Sequence, residues 1–332
     1  MKPVGEFELI DLFTRALPLR GEGVLLGVGD DAAVLRPPRG EQLVATADAV
    51  FDGVHFDGRF SAADIGWKAL AVNLSDLAAM GARPLWALVA LALPRHTDPA
   101  KVAGVARGLG ACARLHGVTV VGGNVTRARQ LSLTVTVIGG AARPLRRDGA
   151  RPGDAVMLSG TVGDAALGLR PRASAALTRR QRRPTPRLAL GRALHGIATA
   201  AIDVSDGLVQ DLGHLCAASR VGASVRLEEL PLSAAYRRAT RRDTDPWGPA
   251  LSGGEDYELC VTVPPRKVRS ALAAAAGAGT PLTVVGTILA GSGVQVVECH
   301  GGLHPFRRGH DHLASRPSAL TNARTLIGSI LP

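Results

Sequence analysis

The residues most able to do chemistry in this chain are aspartates placed where acids are expensive. Asp30 and Asp31 stand side by side in "LLGVGDDAAVL" (25–35), within an apolar run that predicts a buried strand. Adjacent like charges repel each other and resist losing water. Asp48 in "ATADAVFDGVHF" and Asp203 and Asp206 in "AIDVSDGL" fall at strand ends or turns, and Asp76 interrupts the Ala/Leu/Met face of "NLSDLAAMG". Any one of them reads as a helix cap or a turn acid. Asp31, Asp48, Asp76, Asp203 and Asp206 together, each embedded in apolar sequence, point to a divalent-metal cluster. All-oxygen ligands select Mg²⁺ over zinc, and no HExxH or Cys/His pattern competes.

Several Mg²⁺ ions most often serve phosphates. The chain has no Gly-Lys-Ser/Thr P-loop and no kinase-type glycine loop with its strand lysine; its lysines are only Lys2, Lys68, Lys101 and Lys267. Metal ions and arginine must then do what a P-loop lysine does elsewhere. The glycine pairs in "VVGGN" (120–124) and "LSGGED" (251–256) allow backbone amides to approach a phosphate, although such a pair alone is usually a turn.

Alternating elements must position these groups. "GEFELIDLFTRAL" (5–17) has helical spacing, with Phe7, Ile10 and Phe13 on one stripe. "SAADIGWKALAVNLSDLAAMG" (61–81) predicts a long helix capped by Ser61 and stopped by Gly81. Asp98-Pro99 starts another, running to about Gly117. "GVLLGVG", "QLVATAD", "PLWALVALALP", "VTVVGG" and "LSLTVTVIGG" read as strands. After the turn-rich "RPLRRDGARPGD" (143–154), strands "AVMLSG", "AIDVSDG", "ASVRLEEL", "YELCVTVP", "LTVVGTIL" and "VQVVEC" alternate with helices in 186–198, 207–219 and 266–276. This predicts α/β or α+β layers in two domains, 1–148 and 149–314, followed by a loosely held tail at 315–332.

Composition narrows the class. Hydrophobic residues make up 46% of 332, enough for packed cores, yet no apolar run approaches the roughly 20 residues of a spanning helix. The first residues do not form a signal peptide, since acids occupy its apolar centre. Cys112, Cys216, Cys260 and Cys299 lie far apart and read as buried thiols of a cytoplasmic protein. The net charge of +11 is carried by arginine, clustered at 170–187 and 236–245. With 3% aromatics there is little to stack on bases, so these clusters read as a solvated surface, and nucleic acid is not expected as a partner. A basic field also attracts anionic phosphate substrates.

"GEFELI", "GVGDDAAVL", "TADAVFDGVHF", "KALAVNLSDLAAMGA", "DGARPGD", "AIDVSDGLVQDLGHL" and "LSGGEDYELC" follow in the order and spacing of the thiamine-monophosphate kinases. The resemblance runs from about Gly5 to about His312. The wider superfamily is that of aminoimidazole ribonucleotide synthetase and selenophosphate synthetase. "NLSDLAAMGA" and "DVSDGL" are partly shared across it, whereas "DGVHF" and "LSGGEDYEL" resemble the thiamine enzymes.

The resemblance implies a two-domain aminoimidazole ribonucleotide synthetase-like fold, a homodimer whose N-terminal domains pair into a β-barrel, and ATP lying between the domains under the metal cluster. It implies transfer of the γ-phosphate of ATP to thiamine monophosphate, giving thiamine diphosphate and ADP. It further implies that Asp31, Asp48, Asp76, Asp203 and Asp206 bind Mg²⁺, with Thr46 as a supplementary oxygen. Ser205, Arg147 and the amides around Gly122 and Gly123 are implied as ATP contacts, and His55 and Glu255 as contacts to thiamine phosphate. The physics agrees: each unit-charge pair at about 4 Å repels by roughly 4 kcal/mol at an effective dielectric of 20. The acceptor phosphate, with a second pKa of about 6, needs no general base. Direct in-line transfer without a phosphoenzyme is the expected route.

Two positions depart from the family pattern. Asn124 stands where the family has a metal-binding aspartate, keeping a carbonyl oxygen and losing the charge. His310 replaces an aromatic suited to lie against the thiamine ring, which weakens cation–π attraction to the thiazolium. These departures keep a weakly active or non-catalytic binder of ATP or thiamine phosphate in view, beside another ATP-using member of the superfamily.

Overall fold

The computed structural model describes residues 6–307, 309 and 310. The expectation of a loose tail at 315–332 lies outside these residues. The chain divides into two compact units: residues up to Leu77 together with Ala82–Pro144, and Ala78–Gly81 together with the chain from Leu145 on.

The first unit runs α1 (Glu6–Thr14), β1 (Val24–Leu26), β2 (Val34–Leu35), β3 (Gln42–Phe51), α2 (Ala62–Ala79), β4 (Arg83–Leu93), α3 (Pro99–His116), β5 (Thr119–Arg127) and β6 (Ser132–Ala141). Ser61 and Asp64 cap α2 reciprocally: the Asp64 amide donates to Ser61 Oγ (3.1 Å) and the Ser61 amide to Asp64 Oδ2 (3.3 Å). Asp98 caps α3 through the Ala100 amide (2.9 Å), with Pro99 in its first turn and Gly117 closing it at φ 69°.

β3, β6, β4 and β5 form one sheet in that order, antiparallel except for β4 with β5. β3 and β5 are therefore its two edges. Side chains alternate between faces along a strand. Val44 and Val50 of β3, Val135 and Val137 of β6 and Val89 of β4 are buried on one face. Leu43, Ala45 and Ala47 of β3 and Leu88 and Ala90 of β4 are exposed on the other.

The apolar run around Asp30 and Asp31 is not a buried strand within this chain. It is the two-stranded β1–β2 hairpin, with Leu25 56% and Val34 48% exposed and both aspartates in the exposed connection. The acids there keep their water, so burial imposes no cost on them in the single chain.

The second unit contains β7 (Ala155–Ser159), α4 (Asp164–Gly168), α5 (Ala175–Arg182), α6 (Leu188–Ala193), β8 (Ala200–Asp203), α7 (Leu208–Ser219), β9 (Gly222–Arg226), α8 (Ala234–Ala239), α9 (Gly248–Ser252), β10 (Leu259–Val263), α10 (Val268–Gly277), β11 (Leu282–Leu289) and β12 (Gly293–Val297). Its sheet has the order β12-β9-β11-β7-β10-β8, and only β12 with β9 is parallel. Its core is aliphatic, centred on Val156, Leu158, Ile202, Leu212, Leu215, Val225 and Val285. Helices α4, α5, α8 and α9 escape the periodicity reading because each is no more than eight residues, too short for a repeated stripe.

The four cysteines are free. Cys112, Cys216 and Cys260 are buried, and burial pushes the Cys216 thiol up to about 11. Cys299 is exposed on the turn after β12, which corrects the expectation of four buried thiols. Among the described residues no helix is long and apolar enough to cross a membrane.

Candidate functional site

In the first unit, β3 and α2 carry the acids together. Thr46 Oγ1 donates to Asp76 Oδ2 at 2.6 Å. Two residues on, Asp48 projects from the same side of β3, and its backbone amide donates to Asn73 Oδ1 at 2.9 Å. Asn73 and Asp76 are three apart on α2 and so share its face towards β3. Asn73 is fully buried, and its Nδ2 donates to Ala69 O (3.0 Å), so both ends of the amide are fixed. A hydroxyl, two carboxylates and a carbonyl oxygen thus crowd one patch of strand and helix. That donor chemistry suits a hard cation such as Mg²⁺. Asp31 contributes an exposed carboxylate from the β1–β2 turn, where its amide is held by Asp30 Oδ1 (2.8 Å).

Gly122, Gly123 and Asn124 occupy a different place from the one expected. They lie inside β5 and not in a turn after it, because the strand continues to Arg127 past an irregularity in its pairing with β4 at Ala87/Leu88. A side chain at Gly123 would collide with the backbone of Val89, so close pairing alone calls for glycine there. Alternate amides of an edge strand point away from its neighbour, and these remain available to a ligand. Asn124 is exposed and pairs with Ala90, while Asp48 sits on β3 at the opposite edge. Three strand spacings of about 4.8 Å separate those edges, roughly 14 Å. Asn124 and Asp48 of one chain therefore do not share an ion.

His55 lies just after β3. Its Nδ1 accepts from the Phe51 amide (3.1 Å) and its carbonyl from Lys68 Nζ (2.9 Å), while its ring lies 6.2 Å from that of Phe51. In the neutral ring this puts the proton on Nε2.

In the second unit the "VSDG" turn and the "GGED" loop are knitted together. Asp203 is buried at the end of β8, opposite Leu259 of β10. Beyond it, the Glu255 amide donates to Ser205 O (2.7 Å) and the Tyr257 amide to Val204 O (2.8 Å). Glu255 and Tyr257 have φ of 60° and 51°, a left-handed conformation that costs a non-glycine residue about 1 kcal/mol. His310 is exposed and donates its amide to Asp206 O (2.9 Å), while its carbonyl accepts from Gln210 Nε2 (2.9 Å). Ser205, Asp206, Glu255 and His310 are thus brought onto one patch. Arg147 is exposed, and its carbonyl accepts from Ser219 Oγ (2.6 Å).

Beneath this loop lies a charged core that the sequence reading missed. Glu258 is fully buried and accepts from Ser159 Oγ (2.5 Å), from Arg180 Nη2 (2.6 Å) and from Arg187 Nε and Nη2 (2.7 and 2.5 Å). Burial would raise its carboxyl, but the hydrogen bond and charge of Arg187 and the charge of Arg180 hold it below the ordinary range. Two arginines of the 170–187 cluster, expected on a solvated surface, therefore turn inward as counter-charges. Asp256, also buried, accepts the Gly163 amide (2.6 Å), and burial pushes it up to about 7. Asp211 was likewise missed: a buried acid in the first turn of α7, it accepts three backbone amides from the "VSDG" turn.

Among the described residues, no three His, Cys, Asp or Glu side chains already stand together as a metal cluster. The candidate ligands form two groups, Thr46, Asp48 and Asp76 in the first unit and Asp203 and Asp206 in the second.

The model of the AIR synthase related protein N-terminal domain matches residues 29–141, and that of the C-terminal domain matches 151–298. The thiamine-monophosphate kinase of Salmonella typhimurium is 42% identical over 325 residues, covering 94% of this chain and 99% of the relative. The crystal structure of thiamine-monophosphate kinase from Stenotrophomonas maltophilia superimposes with a TM-score of 0.78 at 46% identity, covering 83% of this chain and 91% of that one. AaThiL complexed with AMPPCP and TMP superimposes with a TM-score of 0.75 at 33% identity, covering 94% and 98%.

Proposed function

The chain belongs to the thiamine-monophosphate kinase family, ATP-using transferases of thiamine biosynthesis, and from that premise we propose how its residues carry the reaction. The terminal phosphoryl group of ATP passes in line to the phosphate of thiamine monophosphate, giving thiamine diphosphate and ADP with no phosphoenzyme. The observation that carries this reading is the contact of Thr46 with Asp76 next to the amide-held Asp48, a hydroxyl and two carboxylates on one patch of β3 and α2. Asp31, Thr46, Asp48, Asp76, Asp203 and Asp206 would hold Mg²⁺. When bound, the metal supplies the charge neutralisation that lets two polyanions approach.

The remaining roles belong to the chain itself. Ser205, Arg147 and the outward-pointing amides around Gly122 and Gly123 bind the nucleotide. His55 donates from Nε2 to the acceptor phosphate, its ring locked by the Phe51 amide. The acceptor oxygen is already ionised near neutral pH, so no side chain has to remove a proton. Glu255 sets its carboxylate against the cationic thiazolium, and His310 lies beside the ring with less cation–π attraction than an aromatic hydrocarbon would give.

The protein acts as a cytoplasmic homodimer. The exposed apolar set Leu25, Val34, Leu43, Val54 and Leu88 of the first unit supports self-association through that unit. Because β5 and β3 are opposite edges, Asn124 joins an Asp48 site only where β5 of one copy approaches β3 of another. Mass spectrometry of the products after incubation with ATP, Mg²⁺ and thiamine monophosphate tests the assignment. Appearance of thiamine diphosphate with matching ADP is expected, and ATP consumption without thiamine diphosphate would replace it with another superfamily activity.

A further inference from the structure

The turn that carries Ser205 and Asp206 is held from within by one carboxylate. Asp211 is buried in the first turn of α7, and a single oxygen, Oδ2, accepts from the amides of Ser205 (3.0 Å), Asp206 (3.0 Å) and Gly207 (3.1 Å). These amides belong to the residues just before α7, and the one carboxylate satisfies all three at once. An ordinary cap precedes its helix and takes an amide two or three residues on. Asp211 instead reaches back over the turn and fixes three successive peptide planes.

Fixing those planes fixes where the Ser205 and Asp206 side chains start from. The outer side of the turn is tied as well: Ser205 O accepts the Glu255 amide and Asp206 O the His310 amide. Gly207, at φ 124°, packs where a side chain would meet the Ser252 backbone, so the turn has little room to relax elsewhere. With its oxygen committed to three amides, Asp211 is an anchor for the turn and not a ligand.

We infer that Asp211 is a positioning residue for the reaction, acting through the Ser205–Gly207 turn to aim Asp206 and Ser205. This rests on the kinase reading above. It requires that an oxygen acceptor at this position matter more than a negative charge. Asp211→Asn retains a carbonyl oxygen that can accept the amides, and Asp211→Ala retains none.

The test compares wild type, Asp211→Asn and Asp211→Ala as full-length protein. Two readouts are taken: the rise in melting temperature on adding Mg²⁺ with AMPPCP, and kcat with the half-saturating Mg²⁺ concentration. Asp211→Asn is expected within about threefold of wild type. Asp211→Ala is expected to remain folded by circular dichroism, to need at least tenfold more Mg²⁺, and to lose most of the AMPPCP-dependent melting shift. A folded Asp211→Ala with wild-type Mg²⁺ dependence and an unchanged shift would overturn the inference, leaving a cap that only stabilises. An Asp211→Asn as impaired as Asp211→Ala would also overturn it, because charge and not the amide anchor would then matter. If the alanine variant does not fold, Asp211→Ser, too short to span three amides, is judged by the same criteria. Failure of wild type to make thiamine diphosphate would refute the kinase reading, while the melting-shift comparison would still decide the role of Asp211.

Discussion

Thr46 and Asp76, thirty positions apart in sequence, meet across 2.6 Å with the hydroxyl as donor. The contact ties β3 to α2, two residues from Asp48 along the same strand. Replacing Thr46 by Val keeps the β-branched shape and removes the donor. We expect about 1 kcal/mol of lost stability and a several-fold higher half-saturating Mg²⁺ concentration. Urea melts and ADP release across Mg²⁺ concentrations measure both. An unchanged Mg²⁺ requirement would show that Thr46 merely packs.

The open face of β3 gives a second expectation. Leu43 is 50% exposed there. If this face pairs two copies, as proposed, Leu43→Glu places a charge in that contact and is expected to yield monomer by light scattering, with activity falling at least tenfold. Asn124→Asp in the otherwise native protein restores a carboxylate and is expected to lower the half-saturating Mg²⁺ concentration several-fold. In the Leu43→Glu background that gain should vanish, since Asn124 and Asp48 of one chain lie on opposite sheet edges.

Glu258 is fully buried and answers to two arginines that keep 22% and 16% of their side chains exposed. Glu258→Gln leaves Arg180 and Arg187 without their counter-charge. A loss of about 3 kcal/mol is expected in urea unfolding, with the second unit affected most. A loss below about 1 kcal/mol would mean that the arginines swing out to solvent at little cost.

Asp256 makes stability fall with rising pH. Its ordinary value is 3.8, and burial holds it at about 7 in the folded protein. Between those values the folded chain keeps a proton that the unfolded chain has released, so stability declines over that window and levels off above it. Glu258 works in the opposite sense: its depressed carboxyl contributes stability above its ordinary value of 4.5, and that contribution is lost as pH falls through the folded value. The melting temperature is therefore expected to peak on the acid side of neutrality and to drop by roughly a few degrees by pH 8. Burial pushes Asp211 up to about 7 as well, in the same sense, so Asp256→Asn, which imitates the protonated acid, should reduce that drop in calorimetric scans without removing it.

The long elements were legible because their signals are local. The Ser61 cap, the Asp98-Pro99 start and the apolar run of β11 each need only a few neighbouring residues. The hairpin around Asp31 departs from the buried strand expected because hydrophobicity alone does not reveal whether anything in the chain covers the run. The two inward-turning arginines were misread for a related reason. Whether Arg180 and Arg187 face solvent depends on Glu258, more than seventy residues away, and no periodicity encodes that distance. Asp211 and Asn73 look like ordinary helix residues until their backbone partners are known.

The left-handed backbone at Glu255 puts folding and chemistry at odds. Glycine would sit there more comfortably and would relieve the conformational penalty, yet on the proposed reading it would remove the carboxylate set against the cationic ring. A lineage selected for robustness alone would drift towards glycine. One that holds its substrate through Glu255, as proposed, has to tolerate the discomfort at that dihedral.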